Sequence, residues 1–327
     1  MSEISPALPV KASRPVRFRF LSRLWNAISQ NPVVLKELRS RMRGGRAHLI
    51  ISIYLALLSL LVGLVYLVIY ISADQSVGGS MGQTAGKTVF AVVVVMEMMM
   101  VCFIAPALTS GAIAAERERQ TYDLLRVTLL PSSAIVVGKL TSAMSFLVLL
   151  LLVGFPIQSL AFLFGGISIE EVLIAFVMLI VTALTFCSIG LFISSLLRST
   201  LVSTVVSYVS AILVVFGSPT LISIALSLFG IVSSFSATNW TLSQQLVAEV
   251  ALVAIGYFLI AINPLAAAIA TEIMITATRS SVYTTLPLSN NYKFPIIGPW
   301  IAFCLLYLLL SLFLIWLSVR RVRKNET

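Results

Sequence analysis

Long apolar runs separated by short polar stretches organise this chain. A helix needs roughly 20 apolar residues to cross a bilayer. Six runs reach that length, at about 49–71, 88–110, 140–164, 171–197, 201–229 and 297–319. They are continuously apolar and do not alternate with polar residues, which excludes the strands of a membrane β-barrel. A further apolar stretch, 246–277, is interrupted by Asn263-Pro264. Proline removes a backbone donor and biases the preceding residue away from helical geometry. The break predicts a re-entrant helical hairpin with Asn263 and Pro264 in its turn. Non-helical backbone at membrane depth has to be covered by protein or water, so the hairpin is expected to pack on the other spans. The expected fold is an all-α polytopic membrane protein with six transmembrane helices and a re-entrant hairpin before the last.

Composition agrees with this pattern and narrows the function. Of 327 residues, 59% are hydrophobic and 10% charged, with a mean hydropathy of +1.05. Soluble domains carry roughly 25% charged residues. That excludes a soluble enzyme, a disordered chain and a secreted disulfide scaffold. Cys102, Cys187 and Cys304 all fall inside apolar runs and read as small buried apolar residues. The net charge of +10 would suggest nucleic acid in a soluble protein, but here its placement gives topology instead. With the N-terminus in the cytoplasm and six crossings, all but Lys87, Arg279 and Lys293 of the 22 basic residues fall inside. The expectation is a cell (cytoplasmic or inner) membrane protein with both termini cytoplasmic, including the basic tail 320–327. An eight-span alternative, in which 201–235 folds back at Pro219 and 246–277 crosses, also keeps both termini inside.

Two segments are built to lie at the membrane surface. In the N-terminal region 1–48, the stretch from Asn31-Pro32 places Val34, Leu35, Leu38 and Met42 on one arc. Lys36, Arg39, Arg43 and Arg46 lie on another. That is a basic amphipathic helix suited to an anionic surface, an elbow leading into the first span. The second segment follows the second span and reads GAIAAERERQTYDLLRVTLLPSSAIVVGKL, residues 111–140. Charges are scarce in this chain, yet Glu116, Arg117, Glu118, Arg119, Asp123 and Arg126 cluster here. Glu116 to Val127 is expected to form a polar-faced helix ending before Pro131, a natural docking element for a soluble partner.

On these residues the chain resembles the membrane subunit of type-2 ABC exporters. The family's segment after the second span runs roughly E-(K/R)-E-(K/R)-G-T-x-(E/D)-L-L, then T-P-L-S, then I-x-x-G-K. Here stand Glu116, Arg117, Glu118, Arg119, Thr121, Asp123, Leu124 and Leu125, then Thr128, then Ile135, Gly138 and Lys139. Gln120 replaces the usual glycine, and the proline is displaced to Pro131. Asn31-Pro32-Val33 and Lys36-Glu37-Leu38-Arg39 resemble the family's elbow. The resemblance implies the permease subunit of an ATP-driven exporter with a coupling helix within 112–130, whose Glu116, Arg117, Glu118, Arg119, Asp123 and Arg126 meet a separate cytoplasmic ATPase. It also implies a second permease subunit, identical or paralogous, and ATP with magnesium on the partner. No cofactor, metal or nucleic acid is expected on this chain, and no hydrolase motif stands in it. Gly82 to Thr88 imitates a phosphate loop but has three residues between its glycines where four are needed.

The polar residues inside the apolar runs are the remaining candidates. Glu97, in the second span beside Met98, marks a functional site by default, because an intramembrane carboxylate costs about 2.5–3.5 kcal/mol on insertion scales. It either lines a substrate path with Met98 or ties one helix to another. Were it a coupling group, the chain would be an ion- or proton-coupled carrier. A non-transporting anchor for a soluble complex is the third class. Glu249, Glu272 and Asn263 belong to the hairpin as gate or rim residues. Ser199, Ser203, Ser207 and Ala211 recur every four residues and permit close helix contact, as a dimer seam or within one subunit.

Overall fold

The computed structural model describes residues 45–73, 81–120, 132–221, 223–224, 227, 241–287 and 293–324. The amphipathic segments within 1–44, the charged residues Asp123 and Arg126, and the tail beyond 324 lie outside them. The long helices are α1 (Gly45–Ala73), α2 (Met81–Thr109), α4 (Ser132–Phe164), α5 (Ile169–Leu196), α6 (Thr200–Ile212) and α9 (Pro299–Lys324), with a short α3 (Ala114–Glu118) after α2. A π-helical turn, Leu213–Gly217, continues α6. The helices α7 (Leu242–Ile262) and α8 (Pro264–Thr278) precede a small hairpin of β1 (Tyr283–Pro287) and β2 (Lys293–Ile297).

Six helices among the described residues are long and apolar enough to cross a membrane: His48–Ile71, Ala85–Glu118, Ser132–Phe162, Ile169–Leu196, Thr200–Leu221 and Pro299–Arg323. They coincide with the six apolar runs. The third begins at Ser132 rather than near 140. The fifth does not fold back at Pro219, since the chain stays helical to Leu221. The fourth opens with a reciprocal capping box. The Glu171 N–H donates to Ser168 Oγ at 3.2 Å, and the Ser168 N–H donates to the Glu171 carboxylate at 3.4 Å. Carboxylates at this position also complement the helix dipole.

Helix α5 is the axis of the bundle. Its apolar window is 61% buried, against 11% for α1, which lies at the periphery. Leu179, Phe186, Cys187 and Leu191 of α5 pack with Met98, Cys102 and Ala105 of α2 and with Phe303 and Tyr307 of α9. All three cysteines are buried and free. A second cluster joins Tyr54 and Leu58 of α1 to Phe90 and Val93 of α2 and to Phe146 and Leu150 of α4. Small residues set the closest approaches. A Cβ on Gly190 of α5 would collide with the Thr109 hydroxyl and the Pro106 backbone of α2.

Helices α7 and α8 meet at Asn263 with a bend of 118° between Val250–Ile262 and Pro264–Thr278. Pro264 stands at the first position of α8 and Asn263 caps it, its Oδ1 accepting from the Ala266 N–H at 2.8 Å. The Tyr307 hydroxyl donates to the Ile262 carbonyl at 2.6 Å. Tyr307 is eight residues inside α9, so the bend lies roughly 12 Å below the start of that helix. Both arms return toward one end of the bundle. Tyr257 donates to the Ile297 carbonyl at 2.7 Å, and Thr276 accepts from Lys87 Nζ at 3.2 Å.

The β-hairpin between α8 and α9 runs in register from Tyr283 opposite Ile297 to Pro287 opposite Lys293. Apolar run length does not reveal this hairpin. The signal was present in Val282-Tyr283-Thr284-Thr285, β-branched and aromatic residues followed by the turn formers Ser289-Asn290-Asn291.

Candidate functional site

The charged segment is the first candidate, and its local fold explains its charges. After α2 ends, Ser110–Ile113 form a turn that reverses into α3. The first donors of a helix have no partner within it. Here the N–H groups of Ile113 and Ala114 both donate to Ser194 Oγ of α5, each at 3.0 Å. Of the helix expected from Glu116 to Val127, residues 121–127 lie outside the described residues. The helix stops at Glu118, and Gln120 takes a left-handed φ of 58°. That conformation favours glycine, the residue usual at this place in the family the segment resembles. Gln120 therefore keeps the turn that a glycine would make.

Three of the four described charges bond to neighbouring helices. Lys139, 3% exposed on α4, forms an ion pair with Glu116 at 2.7 Å. Arg117 Nη1 donates to the Ser195 carbonyl at the end of α5 at 2.8 Å. Glu118 accepts from the Thr200 N–H at 3.1 Å and from its hydroxyl at 2.5 Å. Ser199, the N-cap of α6, makes no capping bond of its own, so Glu118 supplies the negative group at that helix start. The segment is thus tied to the ends of three membrane helices. Arg119 is exposed. Glu116, Arg117 and Glu118, expected at a docking face, each also bond to the protein's own helices, while Glu118 and Arg119 stay exposed.

The serine stripe belongs to the same region. Ser203, Ser207 and Ala211 are fully buried, and Ser203 Oγ donates to the Ser110 carbonyl at 2.5 Å. The seam lies within one subunit, where α6 meets the end of α2, and not on an open surface.

Glu97 is fully buried and held by two other helices. Its Oε1 accepts from the Tyr54 hydroxyl of α1 at 3.1 Å, and its Oε2 accepts from the Gln158 amide of α4. Gly154 makes room for this arrangement. A Cβ there would lie 2.5 Å from Glu97 Oε1 and 2.6 Å from the Tyr54 hydroxyl. Of the two readings for Glu97, this is the geometry of a tie between helices. Met98 is also fully buried, its sulfur accepting from the Thr182 hydroxyl at 3.2 Å. Gln158 was not singled out in the sequence, since a glutamine near the end of an apolar run carries no pattern.

Asn263 is not a rim residue. It is fully buried, and its Nδ2 donates to the Val214 carbonyl at 3.1 Å, the Val215 carbonyl at 2.8 Å and Ser218 Oγ at 2.7 Å. Glu249 lies on α7, and its side chain falls outside the described residues. Glu272 is half-buried on α8 with one carboxylate oxygen enclosed. It lines an apolar cleft with Phe90, Val94 and Met178 that also includes Glu171. No group of residues able to hold a metal stands among the described residues.

No protein-family model matches the sequence, and no curated protein matches it.

Proposed function

We propose that this chain is the transmembrane permease subunit of an ATP-driven exporter of the type-2 ABC class, coupling ATP hydrolysis by a separate ATPase subunit to substrate movement. The observation that carries this reading is the attachment of the charged segment. Through Lys139, Ser195 and Thr200 it grips the ends of α4, α5 and α6 at once. A force applied there by a partner reaches three spans without loss in a flexible linker. A loop that merely joined two spans would need no such bonds.

Three further features fit the reading. The family resemblance lies in the same residues. The bent pair α7–α8 leaves and returns toward one end of the bundle, as a re-entrant hairpin does. The exposed apolar faces of α1 and α6, such as Leu64 and Val205, suit lipid or a second permease subunit. In this reading both termini face the cytoplasm with the charged segment, and ATP and magnesium reside on the partner. A proton-coupled carrier working through Glu97 is disfavoured, because both carboxylate oxygens are already engaged and no solvent reaches them.

Affinity purification of the full chain in mild detergent tests the proposal. An ABC ATPase is expected to co-purify, and reconstitution with this chain is expected to stimulate its ATP hydrolysis. A folded chain from which every ATPase is absent would sink the reading and favour the anchor.

A further inference from the structure

At the end of the bundle opposite the charged segment, two clefts of different character meet. The first is apolar, a narrow slot of about 40 Å³ walled by Phe90 and Val94 of α2, Ala175 and Met178 of α5, and Ala268 of α8. The second is polar and wider, about 510 Å³, bordered by Lys87, Glu170, Glu171, Thr276 and Arg279. Glu171 and Ile275 line both, so the two form one continuous amphipathic recess. The apolar wall continues outward along α8 through Ile269 and Ile273, which are 48% and 63% exposed.

The charges at the junction are of both signs. Lys87 and Arg279 stand on one side of the balance, Glu170, Glu171 and Glu272 on the other. Both Glu171 and Lys87 act electrostatically on the Glu272 carboxylate. Glu272 Oε1 is enclosed and has no hydrogen-bond partner among the described residues. A buried carboxylate oxygen without a donor is costly, and the cost is relieved by a ligand that brings an N–H.

We propose that this recess binds one phospholipid with a primary-amine headgroup, of the phosphatidylethanolamine type. Its phosphate sits between Lys87 and Arg279, its ammonium donates to Glu272 and Glu171, and one acyl chain lies across the mouth of the slot along the exposed Ile269 and Ile273. The orphan oxygen selects the headgroup. A primary ammonium donates hydrogen bonds, whereas the quaternary ammonium of phosphatidylcholine has the charge but no N–H. A purely anionic lipid would satisfy Lys87 and Arg279 but set a negative charge against three carboxylates. This site does not depend on the exporter reading and would exist in an anchor or a carrier as well.

The experiment uses the full chain in dodecyl maltoside micelles, titrated with dioleoyl-phosphatidylethanolamine, dioleoyl-phosphatidylcholine and soluble glycerophosphoethanolamine. Lipid retention is followed by native mass spectrometry, and thermal unfolding is the second readout. Phosphatidylethanolamine is expected to half-saturate at about tenfold lower concentration than phosphatidylcholine, the preference of a charge-assisted hydrogen bond. Glu272→Gln should bring the two lipids within about twofold of each other. Lys87→Gln should weaken both lipids alike, since both carry the phosphate. Equal retention of the two lipids by the native chain would overturn the proposal, as would a preference that survives in a folded Glu272→Gln. Soluble glycerophosphoethanolamine binding as tightly as the lipid would overturn the membrane-lipid assignment. Should Glu272→Gln fail to fold, the native chain's preference and the Lys87→Gln series still decide the question.

Discussion

Asn263 Nδ2 donates to the Val215 carbonyl at 2.8 Å, across from Pro219, the residue that has no N–H to offer it. In a regular helix the N–H of residue 219 would bond the carbonyl of residue 215, and in a π turn that of residue 214. Proline removes that donor, and Asn263 Nδ2 approaches both carbonyls, Val214 also accepting from Ser218 Oγ at 2.7 Å. The side chain that caps α8 therefore also repairs the fifth span. That is why the chain passes Pro219 without folding back, and why the bend between α7 and α8 sits where it does.

Removing that side chain should damage both elements together. Asn263→Ala loses the cap and the donors, and is expected to lower stability by about 2 kcal/mol, the sum of a typical cap and modest intramembrane hydrogen bonds. Asn263→Asp keeps the capping acceptor but has no donor, so it should rescue little of the loss. Unfolding in graded dodecyl sulfate would read both. A Tm and unfolding curve for Asn263→Ala equal to those of the native chain would refute the repair role.

The Glu97 tie makes a different prediction. Glu97→Gln can still accept from Gln158 and meet the Tyr54 hydroxyl, so it should cost less than about 1 kcal/mol. Gly154→Ala should cost more, about 1–3 kcal/mol, because its Cβ would enter the space held by the Glu97 carboxylate and the Tyr54 hydroxyl. If Glu97 instead carried protons, Glu97→Gln would abolish transport or shift its pH profile while Gly154→Ala left stability intact.

At the charged segment, stability and partner binding should separate. Lys139→Met removes the Lys139–Glu116 ion pair and is expected to destabilise by about 3 kcal/mol, the low end for breaking a buried pair, since Glu116 keeps some solvent contact. Exchanging the two residues should restore part of it. Arg119→Glu, at an exposed position, should leave thermal unfolding unchanged and weaken ATPase association in a salt-dependent way. Full association and stimulation with Arg119→Glu would remove Arg119 from the docking surface.

Gln120→Gly should be stabilising. The left-handed backbone at Gln120 strains a residue with a Cβ, and glycine relieves that at some cost in unfolded-chain entropy. A net gain of about 0.5 kcal/mol is expected, with ATPase stimulation unchanged or improved. A loss of stability would mean that the Gln120 side chain makes a contribution beyond its backbone.

The six apolar spans, the break at Asn263-Pro264 and the location of a charged segment after the second span were legible in the sequence. Each rests on information that is local along the chain: the length of an apolar run, the missing N–H of proline, and charge in an otherwise uncharged polymer. What the side chains do with one another was not legible. The bonds of Glu116, Arg117 and Glu118 to Lys139, Ser195 and Thr200 were hidden, because those partners lie in other helices and pairing across 23 to 82 residues leaves no periodic trace. Glu97 could not be assigned between path and tie until Tyr54 and Gln158 were seen on either side of it. The serine stripe on α6 specified close packing but not its object, because small residues permit approach by any helix. Only the packing of α6 against the end of α2, with Ser203 bonded to the Ser110 carbonyl, decided that the seam is internal. Sequence fixes where a buried polar group must find a partner; the tertiary structure alone decides which one, because that choice is made by helices brought together from distant parts of the chain.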